Sequence, residues 1–187
     1  LVTHLTRWLL AETGLVPKAL AAAVQEQLEG VGNTSAIPFP ALADTLEFLV
    51  EDAEDEHGVT LAFPLERKGA EYVFFPAVSD FLLEPDTLTG NALVMRCTGD
   101  SWTLGKGNYD GINYGLFYSD RVLERVAANL VAETRRLGGR KILIGECGHA
   151  TRAAWYVRSF AGREAPPVVS CLEHPARALR EHWIPLK

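Results

Sequence analysis

From residue 58 onward, short apolar segments rich in β-forming residues alternate with longer stretches of helical periodicity. The β-type segments span residues 59–63, 72–75, 102–104, 141–145 and 167–171. The helical stretches span residues 85–96, 121–137, 150–160 and 175–183. Strands that alternate with helices of this length are typical of a parallel sheet joined by right-handed crossovers. The pattern therefore predicts a three-layer α/β fold, with a mainly parallel sheet and helices on both faces.

The first third of the chain has the spacing of amphipathic helices and contains no β-type segment. Helical spacing covers residues 5–12, 18–30 and 42–50. We therefore expect a helical N-terminal segment over residues 1–57, followed by an α/β half domain over residues 58–187. The two are expected to form one compact unit.

The composition fits a chain that buries a sizeable core under an acidic surface. Hydrophobic residues make up 48% and charged residues 22%, which excludes a disordered chain. The net charge of −6 argues against nucleic-acid binding, which depends on basic surface. The longest apolar run, residues 19–24, is too short to cross a bilayer, so direct membrane insertion is not expected.

The number of cysteines indicates the cellular compartment, and the first residue indicates whether the chain is part of a longer protein. Three cysteines cannot all pair within the chain, so free thiols in a reducing, cytoplasmic compartment are the simpler interpretation. The chain begins with Leu1 rather than Met and has no signal-peptide pattern. We expect it to be a fragment of a longer protein.

Three segments are predicted to meet at the C-terminal edge of the sheet, where loops and helix N-termini converge and ligands bind. They are the glycine-rich loop over residues 105–115, the turn over residues 146–149 and the segment over residues 170–174. Cys147 and Cys171 each follow a strand end, and they would start about 5 Å apart if their strands are neighbours. The three segments together define one candidate site.

The turn after the strand at residues 141–145 holds residue types suited to chemistry: Glu146, Cys147, Gly148 and His149. A thiol at a helix N-terminus favours the thiolate, which is a nucleophile and a metal ligand. The opposing interpretation is a buried cysteine, with Gly148 allowing close packing of helix on sheet. Both stay open, and so does a zinc or other divalent-metal site at Cys147, His149 and Cys171.

The glycine-rich loop is aromatic rather than basic. The loop and its exit carry Tyr109, Tyr114, Phe117 and Tyr118, and Lys106 is the loop's only cation. The loop lacks the glycine order of a nucleotide-binding motif, so phosphate binding is disfavoured. Its aromatic side chains suit packing against a neighbouring domain and suit a flat ligand equally well.

Other residues near these segments are predicted to have structural roles. Asp120 is predicted to be the N-cap of the helix that follows it, and Trp102 and Trp155 are predicted to be core aromatics. Cys97 is expected at the opposite edge of the sheet. His4 falls on a helix surface and carries no functional argument.

Four stretches of the sequence resemble a known family. Residues 68–76, 99–104, 109–117 and 145–150 occur in the same order and at similar separations in cysteine-rich iron–sulfur oxidoreductases related to the catalytic subunit of heterodisulfide reductase. In that family, a ferredoxin-like module feeds electrons to two similar cysteine-rich halves. A complete half binds a 4Fe–4S cluster through a Cys-Cys-Gly and a later Cys-x-x-Cys.

The sequence departs from this family at the cluster ligands. Tyr109, Asp110 and Gly111 stand where Cys-Cys-Gly is expected. Cys147 is the one thiol where Cys-x-x-Cys is expected. The resemblance therefore implies a degenerate first half that serves as scaffold and active-site wall, with no cluster bound by this chain alone.

The resemblance also implies roles for residues and partners. The implied catalytic residues are Glu146, Cys147 and His149. The implied cofactor-facing residues are Tyr109, Asp110, Gly111, Tyr114 and Gly148. The implied partners are the second cysteine-rich half and the ferredoxin-like module of the same protein, with redox or membrane-anchor subunits, at a membrane complex to which this protein is peripheral. A further alternative is a non-catalytic module that docks on partner subunits through its helical first third.

Overall fold

The computed structural model describes residues 2–107 and 113–184, and of residues 57, 113 and 114 it describes only the backbone. This part of the chain contains a four-stranded sheet in which all strands run parallel. The strands are β1 (Tyr72–Phe75), β2 (Trp102–Leu104), β3 (Lys141–Ile144) and β4 (Val168–Ser170). The predicted α/β fold is confirmed.

Ten helices accompany the sheet within the described residues. Three precede it: α1 (Val2–Glu12), α2 (Lys18–Glu29) and α3 (Phe39–His57). The others are α4 (Val78–Leu82), α5 (Asp86–Thr98), α6 (Asn113–Tyr118), α7 (Asp120–Arg136), α8 (Gly148–Ala154), α9 (Val157–Ala161) and α10 (Glu173–Arg180). None of these helices, as far as they are described, combines the length and the apolar character that a membrane span needs.

The strand order β2–β1–β3–β4 places a topological switch point between β1 and β3. The chain crosses from β1 to β2, returns past β1 to β3, and continues to β4 on the far side. Tyr72 pairs with Trp102 on one side and with Lys141 on the other. Crossover connections leave such a point toward opposite faces of the sheet, and ligand sites of open parallel sheets commonly form there.

Helices cover both faces of the sheet, which makes the three layers that the sequence predicts. Successive strand residues point to opposite faces. Val73 and Ile142 therefore pack with α7, α8 and α9, whereas Phe74 and Leu143 pack with α3 and α5. All four side chains are almost completely buried, so the sheet is the shared wall of two apolar clusters.

Helices α2 and α3 contribute to these same two clusters. Val24 of α2 is buried on the α7 side, and Leu42, Leu46 and Leu49 of α3 are buried on the α5 side. Helix α1, by contrast, has no buried residue. The division between residues 57 and 58 stays a prediction, and α3 packs on the sheet across it.

Helix α7 begins at a serine cap. Ser119 has an extended backbone, and its Oγ accepts a hydrogen bond from the Val122 N–H at 3.3 Å. The prediction of Asp120 as the N-cap is therefore wrong by one residue. Asp120 is the first residue of the helix, where its negative charge is favoured by the helix dipole.

The predicted strand over residues 59–63 is irregular in the structure. The chain meets the sheet slightly later, where Leu65 forms an isolated parallel bridge with Leu104. The Leu104 N–H donates to the Pro64 carbonyl at 2.9 Å, but Pro64 has no N–H with which to extend the ladder. Leu61 is buried all the same, so this apolar run fills the core as a loop.

The predicted helix over residues 150–160 is two short helices, α8 and α9. Trp155 lies between them and is 69% exposed, so its prediction as a core aromatic is wrong. The prediction is confirmed for Trp102, which is buried. The small side chains Ala153 and Ala154 take the core positions instead, which lets this segment pack closely on the sheet.

A contact between the buried His174 and the partly exposed Asp100 attaches helix α10 to the start of β2. His174 Nε2 lies 2.8 Å from Asp100 Oδ2, and the imidazole packs edge-on against the Tyr72 ring. His174 is 3% exposed, so water competes little with this contact.

Three charged side chains hold the start of the glycine-rich loop after β2. The Arg136 guanidinium donates to Glu66 and to Glu133 at 2.6 Å each. The Lys106 N–H donates to Glu66 and the Gly107 N–H donates to Glu133. The hydrogen bond from Arg136 lowers the pKa of Glu66 to about 2. The loop therefore leaves β2 from a fixed position against α7.

Candidate functional site

The loops that follow β1 and β3 touch at the switch point. A Cβ built on Gly145, directly after β3, would lie 2.8 Å from the Pro76 Cα and 2.9 Å from the Ala77 nitrogen. Because backbone atoms at these distances leave no room for a side chain, glycine is required here unless the neighbouring loop moves. The turn over residues 146–149 therefore starts from a fixed point at the sheet edge.

Two carboxylates lie at this edge. Asp80 is buried, and its Oδ2 accepts a hydrogen bond from the Ala77 N–H at 2.9 Å. Glu146 is exposed, and its Oε2 accepts a hydrogen bond from the Thr87 hydroxyl at 3.1 Å. Since Thr87 belongs to the first turn of α5, this bond ties the turn after β3 to that helix.

Cys171 lies beneath the same edge, directly after β4. Its N–H donates to the Ile144 carbonyl at 2.8 Å, so it continues the ladder between the neighbouring strands β3 and β4. Burial, with a smaller contribution from the charges of Asp80 and Glu146, raises the pKa of the Cys171 thiol to about 12. At neutral pH the group is therefore an uncharged thiol, which is a poor nucleophile and a poor metal ligand.

Cys147 is the N-cap residue of α8 and is half-buried. Its side chain packs against the apolar cluster that α7, α8 and α9 form on the sheet. Gly148 has no atom within 4 Å of a Cβ built on it, so close packing does not require glycine at this position. Of the two interpretations of this turn, the structure places Cys147 against the core and finds no packing role for Gly148.

The described thiols and imidazoles are not grouped as metal ligands. Among residues 2–107 and 113–184, no set of three or more His, Cys, Asp or Glu side chains is arranged to hold a metal ion. The zinc alternative at Cys147, His149 and Cys171 therefore has no support in the structure. A 4Fe–4S cluster takes four ligands, mostly thiolates. The chain has three cysteines, of which Cys97 is exposed on α5, so these residues do not fit such a cluster.

Part of the predicted cofactor-facing set lies outside the described residues. Tyr109, Asp110 and Gly111 are not among them, and Tyr114 is described only through its backbone in α6. Their roles stay predictions.

His149 lines a cavity of about 760 Å³ between α1 and the helices α6, α7, α8 and α9. Its imidazole packs edge-on against the Phe117 ring, with the ring centroids 5.0 Å apart. Glu146, Cys147 and Cys171 are not among the described residues that line this cavity. The structure therefore places His149 on a different surface from the two thiols with which its sequence position grouped it.

The cavity also contains side chains that the sequence patterns do not single out. Arg152 follows His149 by three residues and Tyr156 follows Arg152 by four, so helical spacing could have linked these three. His4 and Arg7 enter the cavity from α1. No local signal joins them to the others, because α1 and α8 are distant in sequence.

The fold and the site define a class of protein: a three-layer α/β domain with a parallel sheet, thiols at the strand ends and a basic cavity beside them. Two curated proteins are similar to this chain. They are the Hdr-like menaquinol oxidoreductase iron–sulfur subunit of Archaeoglobus profundus and the Hdr-like menaquinol oxidoreductase iron–sulfur subunit 2 of Archaeoglobus fulgidus. Each is 24% identical over 152 residues, which cover 78% of this chain and 27% of the relative.

This similarity confirms the family resemblance of the sequence, because these distant homologues are iron–sulfur subunits of Hdr-like oxidoreductases. The chain spans only 27% of the length of these relatives. No protein-family model matches the chain, and no solved structure matches it significantly.

Proposed function

We propose that the chain is a domain of an Hdr-like iron–sulfur oxidoreductase, in which it serves mainly as scaffold and as one wall of the active site. The observation that carries this proposal is the similarity to two iron–sulfur subunits over 78% of the chain. Because both relatives are named menaquinol oxidoreductase subunits, the proposed activity is electron transfer linked to a quinol.

In this proposal, the C-terminal edge of the sheet faces the reacting centre that another half contributes. Glu146 presents an exposed carboxylate oriented by the Thr87 hydroxyl, and Cys147 presents a half-buried sulfur at the start of α8. His149 supplies an imidazole from the adjacent cavity. The remaining proposed positions, which line the cofactor side, are Tyr109, Asp110, Gly111, Tyr114 and Gly148.

The proposal assigns the 4Fe–4S cluster to the second cysteine-rich half, because the thiols of this chain do not fit it. The other proposed partners are a ferredoxin-like module and redox or membrane-anchor subunits. The proposed location is cytoplasmic, at the periphery of a membrane complex. The buried, uncharged Cys171 supports the scaffold role, since it packs rather than reacts.

Anaerobic reconstitution of the purified chain with iron and sulfide tests whether the cluster belongs elsewhere. We expect no stoichiometric iron and no broad visible absorbance, because too few thiolates are available. A stoichiometric cluster whose absorbance is lost in Cys147→Ser and kept in Cys97→Ser would contradict the scaffold role. The exposed Cys97 is the matched control.

The oxidoreductase assignment itself is tested by anaerobic affinity purification of the chain from its own organism. We expect a second cysteine-rich half in the same polypeptide or in a co-purified one, with an iron–sulfur electron paramagnetic resonance signal after reduction. Purification without any iron–sulfur polypeptide would overturn the assignment.

One observation favours the alternative of a non-catalytic docking module. Helix α1 exposes four large apolar side chains, each at least half exposed: Val2, Leu5, Trp8 and Leu9. In that case Cys147→Ala leaves the electron-transfer activity of the assembled protein unchanged, whereas the active-site wall predicts a loss.

A further inference from the structure

The cavity between α1 and the helices α6 to α9 has a basic side. His4 and Arg7 enter it from α1, and His149 and Arg152 enter it from α8. Among the described lining residues the one carboxylate is that of Asp120, whose Oδ2 lies 3.3 Å from His4 Nε2. Basic groups therefore outnumber acids in this cavity, although the chain as a whole carries a net charge of −6.

The two guanidinium groups of the cavity have no carboxylate partner among the described residues. Arg7 lies over the Phe117 ring, 5.7 Å from its centroid, and Arg152 makes no hydrogen bond or ion pair with a described residue. Several arginines elsewhere do pair with acids: Arg121, Arg125, Arg136, Arg140 and Arg177. The cavity guanidiniums thus keep their donors available for an external oxyanion.

Aromatic rings form the other side of the cavity. The Phe117 ring is met edge-on by the His149 imidazole, and the Tyr156 and Phe160 rings stack at 28° with centroids 6.2 Å apart. Flat apolar groups pack well against such rings. The two sides of the cavity therefore complement one molecule that has both an oxyanion and a flat apolar body.

We propose that this cavity binds a small organic anion, a carboxylate or a phosphate ester carried on a flat apolar body. Arg7 and Arg152 hold the oxyanion, because the planar fork of a guanidinium matches two oxygens of either group. The apolar body lies against Phe117 and Tyr156. The volume of about 760 Å³ is within the range of small-molecule pockets, roughly 300–1,000 Å³. The binding does not depend on the proposed redox role.

Such a ligand would join α1 to the rest of the molecule. Helix α1 has no buried residue, and its ion pairs with described residues, His4 with Asp120 and Glu12 with Arg121, are exposed. Exposed pairs of this kind contribute little stability. An oxyanion shared by Arg7 of α1 and Arg152 of α8 should therefore slow amide hydrogen exchange in α1.

Isothermal titration calorimetry of the full chain with four probes tests the proposal. The probes are benzoate, phenyl phosphate, inorganic phosphate and phenol. We expect saturable binding of benzoate or phenyl phosphate, weaker binding of inorganic phosphate and none of phenol. Binding should weaken as salt is raised, and hydrogen exchange in α1 should slow at saturation. The tighter of the two aromatic anions identifies the head group.

Charge-removing variants localise the binding. Arg152→Gln is expected to weaken it by about tenfold or more, because a charge-assisted hydrogen bond is lost. Arg7→Gln is a second variant, on a helix that carries no core residue. Arg158→Gln makes the same charge change at an exposed position of α9 outside the cavity and should leave binding unchanged.

The proposal is overturned if neither benzoate nor phenyl phosphate shows saturable binding to the full chain. It is also overturned if phenol binds as well as they do, or if Arg158→Gln weakens binding as much as Arg152→Gln does. Far-ultraviolet circular dichroism shows whether each variant is folded. If Arg152→Gln does not fold, the loss of binding in Arg7→Gln tests the proposal instead.

Discussion

Arg136 holds two carboxylates that differ in burial, since Glu133 is buried and Glu66 is partly exposed. Its own pKa is raised above the already high value of an arginine by its hydrogen bonds to Glu133 and Glu66. The guanidinium therefore stays charged under all practical conditions, and the pH dependence of its pair with Glu66 comes from the Glu66 carboxyl.

The Glu66 carboxyl makes part of the stability depend on pH. Its pKa falls from an ordinary 4.5 to about 2 in the folded chain. A lowered pKa contributes stability that is fully present above the unfolded value and is lost as pH falls toward the folded value. Glu66→Gln should therefore lower the free energy of unfolding on the order of 1 kcal/mol at pH 7 and hardly at all near pH 2. Urea denaturation over this range measures it.

The matched control is Glu47→Gln, which removes an exposed carboxyl on α3 that has no ion pair with a described residue. It should change the free energy of unfolding little at either pH. If the free energy of unfolding differs between wild type and Glu66→Gln by the same amount at every pH, the ion pair is not the cause of the difference.

At the scale of single residues, Glu146, Cys147 and Cys171 each follow a buried strand in the sequence. That was enough to predict that they lie at one edge of the sheet. It was not enough to predict their surroundings. Whether a side chain packs against the core, as Cys147 does, or lines a separate cavity, as His149 does, depends on how α8 packs on the sheet. Arg7 shows the same limit, because only tertiary packing brings α1 beside α8.

At the scale of elements, the segment from α8 to α9 shows why periodicity alone misleads. The buried residues Ala150, Ala153, Ala154 and Val157 keep a helical spacing through the whole segment. The backbone nevertheless breaks between Ala154 and Val157, so a continuous pattern covers two helices. A large aromatic residue in such a pattern need not be buried when small residues already occupy the face on the sheet.

The contact of the buried His174 with the partly exposed Asp100 is one polar attachment of α10. Asp100→Ala leaves the imidazole without its carboxylate partner in a site that water hardly reaches. We expect the free energy of unfolding to fall by about 1–3 kcal/mol, the cost of a buried polar group without its hydrogen bond. Equilibrium urea denaturation at neutral pH measures the loss.

The exposed pair of Arg177 and Glu181 offers a comparison at the end of the same helix. Glu181→Gln breaks it and should change the free energy of unfolding little, because exposed ion pairs contribute little stability. If the two variants cost the same, burial is not what makes the His174 contact important.

At the scale of the whole molecule, the fold class follows from the sequence because strands covered on both faces form apolar runs that stand out from the amphipathic helices between them. The strand order does not follow from the same pattern. The strand order depends on the side of β1 at which each crossover connection adds its next strand. Packing of α5 and α7 on opposite faces of the sheet determines that side.

Removing residues 1–57 should prevent the remainder from folding, because α2 and α3 supply Val24, Leu42, Leu46 and Leu49 to the two clusters. Each large apolar side chain contributes about 1.5–3 kcal/mol when buried, and a typical domain is stable by only about 5–15 kcal/mol. Thermal unfolding followed by circular dichroism should show no cooperative transition for residues 58–187.

Deletion of residues 1–14 is the control for that truncation. It removes α1, which has no buried residue, and should leave a cooperative transition close to that of the full chain. A cooperative, native-like transition in the chain of residues 58–187 would instead show that the N-terminal helices and the sheet fold independently.

The missing side chain at Gly145 has a consequence for how this scaffold can acquire new activities. The main chain after β3 already lies close to the main chain after β1 there, so a larger residue at position 145 would require the loop after β1 to shift. The helices α1 and α6 to α9, which line the basic cavity, can change its chemistry by exchange of surface side chains while the sheet stays as it is. Diversification in proteins built this way should therefore concentrate on these helices.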